Sequence, residues 1–417
     1  MRKHFQDKSL EGSVKTISPL IPVKVTLLQG RYLARPYRPI LLFLLISILI
    51  LTSLHYKRAP ATRFSIPSTH SGTLRVAICL VGGARRFELT GPTILEHVLN
   101  AFPEADLFVH SNLDRNSFKL GLLGLAPRVT EVRIRKPVTI PETKAQRRLL
   151  SASSSSNGIQ GLLQYFDLVE GCLDMIEAQE YRGRFRYDWI VRTRVDGYWT
   201  GPLNSRAFKP DAYVVPEGSR FSGLNDRLGI GNRSFSTVAL SRLSLLPRLA
   251  SAGFHDLNSE STFHAQLKVF NISAKELRFP FCTLSDHRYE YPPKWSGVPV
   301  ASIGSLGPLS GTKCRPCIPS CKGKCMEKLG PKMKNWSGWT EWRNGSLELC
   351  DGSRPWQKGW EKIYDEVSGK TAANVRRRVK KVKIEDCVKE LEELKRKAEK
   401  WNGPDPIEIC NLGLVQS

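Results

Sequence analysis

Along the chain, a polar and basic opening gives way to one uninterrupted apolar run, Ile40 to Leu54, in which only Ser47, Thr52 and Ser53 are polar. Carried through His55 and Tyr56, it would make a helix of roughly 25 Å, at the short end of what spans a bilayer. A core helix would carry a polar face, and Leu41 to Ile46 has none. A cleaved signal would begin near the N-terminus, whereas 39 residues precede this run and Lys57-Arg58 follow it. The pattern predicts a tail over 1–39, a transmembrane helix over 40–56 and a Pro/Ser/Thr-rich stem over 57–73. So short a span suits the thinner membranes of the early secretory pathway.

Beyond the stem, compact apolar runs alternate with helical spacing. Leu74 to Val81 reads as a buried strand ending in Gly82-Gly83. A helix with Ile94, Leu95, Val98 and Leu99 on one face follows, then strands over Ala105–His110 and Arg128–Ile134. After the low-complexity loop Ser151–Gly158 comes a helix through Leu162, Leu163, Phe166, Val169, Cys172, Leu173 and Ile176. Trp189 to Val195 is a further strand, closing on Asp196-Gly197. Ala212–Val215 reads as a strand and Ser236–Leu249 as a helix. This alternation predicts an α/β fold, a mixed and mostly parallel sheet flanked by helices. Past residue 300 the character changes. Cys314, Cys317, Cys321 and Cys325 crowd together, Trp336, Trp339, Trp342, Trp356 and Trp360 follow, and Ile384, Val388, Leu391, Leu394, Ala398 and Trp401 recur at helical spacing. The expected division is a domain over 74–298 and a separate Cys/Trp-rich module, ending in helix, over 299–417.

Composition narrows the function classes. A chain of 417 residues, 41% hydrophobic and 24% charged, is not wholly disordered and suggests two cores. With 63 Lys plus Arg against 39 Asp plus Glu, its charge of +24 favours anionic partners. The run Arg376 to Lys383 could serve as a nucleic-acid arm, but Val375, Val379 and Val382 make it equally a solvated helix face. Beside a membrane anchor the second reading holds, and no nucleic-acid partner is expected. Eight basic and two acidic residues precede the apolar run. That bias, with sequons at Asn232, Asn271, Asn335 and Asn344, predicts a luminal body and a type II topology. In an oxidising lumen, the eight cysteines from Cys282 to Cys410 imply up to four disulfides. A zinc knuckle is the rival, but the C-x2-C-x3-C-x3-C spacing lacks two separated pairs. Cys79 and Cys172 are either buried thiols or a further pair.

Four segments carry candidate chemistry. Val81-Gly82-Gly83-Ala84-Arg85-Arg86 joins backbone N–H groups to two guanidinium forks, which suits a diphosphate; an ordinary turn with surface arginines is the alternative. In the strand from Tyr187, Arg192, Arg194 and Asp196 alternate onto one face, where three charges need ligand or one another. Asp196 also falls at a strand's C-terminal end, where open α/β sheets place ligands. Asn225-Asp226 precedes a small-residue strand and would by itself be a loop. Glu260 and His264 lie four apart on a helix and could pair with each other.

In this order the segments resemble a GT-A-type glycosyltransferase pattern. Ala105-Asp106-Leu107-Phe108-Val109-His110 matches its "ADxFxH" strand, Tyr187 to Asp196 its "YDWIxRxRxD" strand, Asn225 to Gly231 its "NDxxxIG" element, and Glu260 its "ExxxxxxL" helix. With its Cys/Trp-rich tail, the whole chain resembles a plant family of membrane-anchored proteins with such a luminal domain. The resemblance implies a Golgi enzyme with a nucleotide-sugar donor and a glycan or glycoprotein acceptor. Gly82, Gly83, Arg85, Arg86, Arg192 and Arg194 would bind the donor. Asp226 or Glu260 would supply the catalytic carboxylate, and Asp196 would contact a divalent metal such as Mn2+. The usual DxD motif reads Arg194-Val195-Asp196 here, so one expected carboxylate is missing, and the arginines could neutralise the diphosphate instead. The alternative is a non-catalytic luminal protein that binds glycans or scaffolds other enzymes.

Overall fold

In a computed structural model, residues 74–152, 157–288, 300–333, 340 and 346–415 are described. The expected tail, transmembrane helix and stem, and the sequons at Asn335 and Asn344, lie outside them. Among the described residues, no helix is long and apolar enough to cross a membrane.

Among the described residues, twelve strands build two sheets: β1 Val76–Val81, β2 Asp106–Asn112, β3 Val129–Arg135, β4 Trp189–Arg194, β5 Gly197–Trp199, β6 Tyr213–Pro216, β7 Leu228–Asn232, β8 Ala274–Leu277, β9 Phe281–Leu284, β10 Ala301–Ser302, β11 Lys313–Arg315 and β12 Ala398–Asn402. The larger sheet runs β12-β3-β2-β1-β4-β7-β6-β8 and the smaller β10-β11-β9-β5. In the larger, neighbours from β12 through β4 are parallel, β7 is antiparallel to both β4 and β6, and β8 is parallel to β6. The fold is thus α/β with a mixed, mostly parallel sheet flanked by helices. β1 is buried at all six positions, as a parallel strand covered on both faces must be.

One face of β1 packs with the helix Gly158–Gly183, and the Cys79–Cys172 disulfide ties strand to helix. The other eight cysteines pair as Cys282–Cys314, Cys317–Cys350, Cys321–Cys325 and Cys387–Cys410, with no free thiol among the described residues. The zinc reading therefore lapses. Such bridges stabilise chiefly by restricting the unfolded ensemble.

Three expectations need correction. The helical spacing stops at Lys397, and Ala398 and Trp401 belong instead to β12, which pairs with β3 at the edge of the large sheet. Nor does the chain beyond 299 stand apart, because the described residues from 74 onward form one compact unit. Val379, Leu391, Leu394, Ile409 and Cys410 share a core with Leu80, Leu107 and Val132. The second sheet likewise joins Tyr198 and Cys282 to Ala301, Leu349 and Tyr364. The helix expected over Ser236–Leu249 is two helices, Arg233–Leu240 and Leu246–Ser251.

Several motif residues prove to be ties between elements. The Tyr187 hydroxyl donates to Asp106 at 2.6 Å, and Arg128 pairs with the same carboxylate at 2.7 Å. His110 is fully buried in β2, its Nδ1 2.8 Å from the Leu168 carbonyl. Burial, aided by Arg135 and Arg133, pushes its pKa down to about 4 from an ordinary 6.5. The folded ring stays neutral where the unfolded one protonates, so this contribution is complete above pH 6.5 and is lost as pH falls toward 4. Denaturation midpoints should show stability about 2 kcal/mol lower at pH 5 than at pH 7. His110→Gln should flatten that slope; a slope unchanged by the substitution would assign it elsewhere. Of the two described sequons, Asn271 is exposed, whereas the Asn232 side chain accepts from the Phe235 N–H at 2.9 Å and caps a helix.

Candidate functional site

The C-terminal ends of β1 and β4 meet at one edge of the large sheet. Gly82 there has φ +118°, a conformation open to glycine but strained for other residues, and its N–H donates to the His110 carbonyl at 3.1 Å. A Cβ on Gly82 would meet Val195, and one on Gly83 would meet the Asp114 carboxylate. The Val195 N–H donates to the Val81 carbonyl at 3.0 Å, so Asp196 sits beside the glycine turn. This is the edge at which open α/β sheets bind ligands.

Asp226 and Glu260 reach that edge from the other side. Asn258 caps the helix Ser259–Val269 in a reciprocal capping box with Ser261, and its side-chain amide donates to the Phe221 carbonyl at 2.8 Å. Gly223 lies so close to this helix that a Cβ would fall 2.1 Å from the Glu260 carbonyl carbon. The loop before β7 and the first turn of the helix are therefore held together. The expected Glu260–His264 pair is not made: His264 is exposed, while Glu260 is half-buried.

The two carboxylates occupy opposite electrostatic settings. Asp226 is 2% exposed, accepts from the Ser259 hydroxyl at 2.5 Å and lies 3.9 Å from the buried Arg242 guanidinium. Burial alone would raise its pKa, but Arg242, Arg192 and the Ser259 bond bring it down to about 2. At Glu260, burial and the Asp226 charge push the pKa up to about 7, despite Arg227 and Lys313. A group near neutrality is matched to proton transfer at physiological pH, and a carboxyl that ionises near pH 2 is a weak base there.

Asp196 is not placed as a metal ligand. Arg194 donates to both of its oxygens, at 2.9 and 2.7 Å. Burial pushes the Asp196 carboxyl up, but Arg194, with Lys313 and Arg227 beyond it, holds it below the usual carboxylate range. Among the described residues, no group of three His, Cys, Asp or Glu side chains could hold a metal ion. The donor set thus does not fit the divalent cation that a GT-A-type resemblance implies.

The arginines divide by burial. Arg192 is 1% exposed and donates to the Asp226 carbonyl and, at 3.4 Å, to the Tyr165 hydroxyl, so it props the site from within. Arg86 forks onto Asp286, its Nη2 2.7 Å from one oxygen, and lies 4.4 Å over the Trp356 ring. It fastens the glycine turn to the segment after β9. Arg85 is exposed and has no ion pair among the described residues.

Two cations escaped the sequence reading. Lys313 opens β11, where it is in register with Thr283 of β9, itself in register with Gly197 beside Asp196. Arg227 is 4% exposed and follows Asp226. The Asn225 amide donates to the Gly218 and Ser310 carbonyls, and a Cβ on Gly311 would lie 3.5 Å from Arg227 Cδ. The turn before β11 thus packs on the Asn225–Arg227 loop. Burial, together with Arg227 and Arg194, pulls the Lys313 pKa down to about 7, against Asp196 and Glu260. In sequence, Lys313 is one basic residue in a cysteine cluster, and no local pattern marks it.

A protein-family profile described as Domain of unknown function (DUF7796) matches residues 71–416. No curated protein matches the sequence. Among solved structures, the chain is similar to the apo form of mouse xyloside xylosyltransferase 1, at 12% identity and a TM-score of 0.33, over 49% of this chain and 86% of that one.

Proposed function

The chain belongs to the family described as Domain of unknown function (DUF7796), and from the charged groups gathered at one edge of its large sheet we propose that it is a glycosyltransferase. In this reading it moves a sugar from a nucleotide-sugar donor to a glycan or glycoprotein acceptor, as a single-pass type II protein of the Golgi or another secretory membrane. One observation carries the proposal. At the ligand-binding edge of the sheet, a carboxyl with a pKa of about 7, Glu260, faces an excess of cations. Arg192, Arg194, Arg227, Arg242 and Lys313 gather there against Asp196, Asp226 and Glu260.

That arrangement suits transfer to a hydroxyl with a diphosphate as leaving group. The acceptor oxygen bonds to the anomeric carbon as the bond from that carbon to the diphosphate oxygen breaks. The electron pair leaves with the diphosphate, and Glu260 takes the hydroxyl proton. Asp226, tied to Ser259 and Arg242, holds the loop and helix that carry Glu260.

The test is a screen of the purified full-length chain against UDP- and GDP-sugars, with nucleoside diphosphate release and transfer to glycan acceptors as readouts. Release from at least one donor is the expected result. Absence of both binding and release across the panel would leave the non-catalytic, glycan-binding reading in its place.

A further inference from the structure

Lys313 and Arg227 have no counter-ion in the packing so far described. Neither has a carboxylate within ion-pairing distance among the described residues; Arg227 makes a long, 3.4 Å side-chain bond to Asn225 and lies 5.5 Å from the centroid of the Phe221 ring, neither of which neutralises its charge. Nearby cations are otherwise engaged: Arg194 by Asp196, Arg242 by Asp226 and Arg192 by a carbonyl. Two unpaired cations side by side in a largely buried site are unfavourable until an anion arrives. Arg85 is exposed and follows the glycine turn at the same edge of the large sheet.

We propose that Lys313 and Arg227, with Arg85 at the rim, form a diphosphate cradle that carries the charge of the departing nucleoside diphosphate without a divalent cation. This rests on the transferase reading for its substrate, but the cradle itself rests on side chains. The residue that the resemblance assigns to a metal is locked by Arg194, and cations stand where a bound metal would supply positive charge. The anion would restore Lys313 to its charged form as it binds, because an adjacent negative charge opposes the effect of burial. The site draws on segments far apart in the chain, Arg85 after β1 and Lys313 in β11. It forms only once the small sheet has docked.

Calorimetry on the full-length chain, with inorganic pyrophosphate and UDP as probes and EDTA present, tests this. Binding should persist in EDTA. Lys313→Met and Arg227→Gln should each weaken it by roughly tenfold to a hundredfold, whereas Lys313→Arg should largely retain it. Removing a half-buried ammonium that has no counter-ion should leave Lys313→Met at least as stable as the parent, so its melting temperature controls for folding. Binding that disappears in EDTA and returns with Mn2+ would overturn the cradle and leave the transferase reading intact. So would a folded Lys313→Met that binds as the parent does. Pyrophosphate binding that depends on Lys313 and Arg227, in a chain that turns over no nucleotide sugar, would uphold the cradle and remove the transferase reading.

Discussion

Glu260→Gln should lower turnover of a nucleotide sugar by about 10² to 10⁴-fold while leaving donor binding intact or slightly tighter. The substitution keeps the shape of a side chain that has no hydrogen-bond partner among the described residues beyond its own backbone, and removes only its proton affinity. Its charge faces Arg227 and Lys313 as well as Asp226, so neutralising it leaves the cations freer for an anion. The pH dependence has a definite sign. A base with a pKa of about 7 is charged above that value, so turnover should climb as pH rises through 7. Lys313, also about 7, must be protonated to hold the diphosphate, which bends the profile down again on the alkaline side. The charge on Lys313 is set by its burial and by Arg227, Arg194, Asp196 and Glu260, which come from the end of β4, the loop before β7 and the helix Ser259–Val269. Glu260→Gln should abolish the rising limb and spare the falling one. Turnover as fast as the parent's would remove Glu260 as the base.

Asp226→Asn should act through stability instead. It removes the carboxylate facing buried Arg242 and Arg192, and breaking a buried pair from one side costs about 3 to 5 kcal/mol. The Asp226 pKa of about 2 lies below the ordinary carboxylate value. Its stabilising charge is thus complete above roughly pH 4 and is lost as pH falls toward 2. Urea midpoints for parent and variant should differ widely at pH 7 and converge in acid. A variant as stable as the parent but without turnover would give Asp226 a direct part in the chemistry.

The location of the site was legible in the sequence, but the roles within it were only partly so. Strand boundaries around Val81 and Arg194 follow from apolar runs stopped by Gly82-Gly83 and Asp196-Gly197, and these turns do meet at one sheet edge. Asp226 and Glu260 were marked as carboxylates, yet nothing local distinguishes a carboxyl ionising near pH 2 from one near 7. The difference comes from Arg242, Arg192 and burial, all supplied by other segments. Asp196 was read as a metal contact from its position at a strand end. Its neighbour Arg194 instead turns back onto it across the turn.

By itself the sequence determined the alternation of strands and helices, the parallel core around β1, and an even set of C-terminal cysteines fit to pair. Each depends on residues near one another in the chain, because side-chain period and cysteine parity are local or compositional properties. Only the tertiary structure decided that residues after 299 share the earlier cores, that Ala398–Asn402 extends the large sheet, and that Lys313 stands with Arg227 beside Glu260. Those outcomes depend on contacts between residues far apart in the chain. Sheet order and a buried group's charge are set by what packs against it, and no periodicity in the sequence records that neighbour.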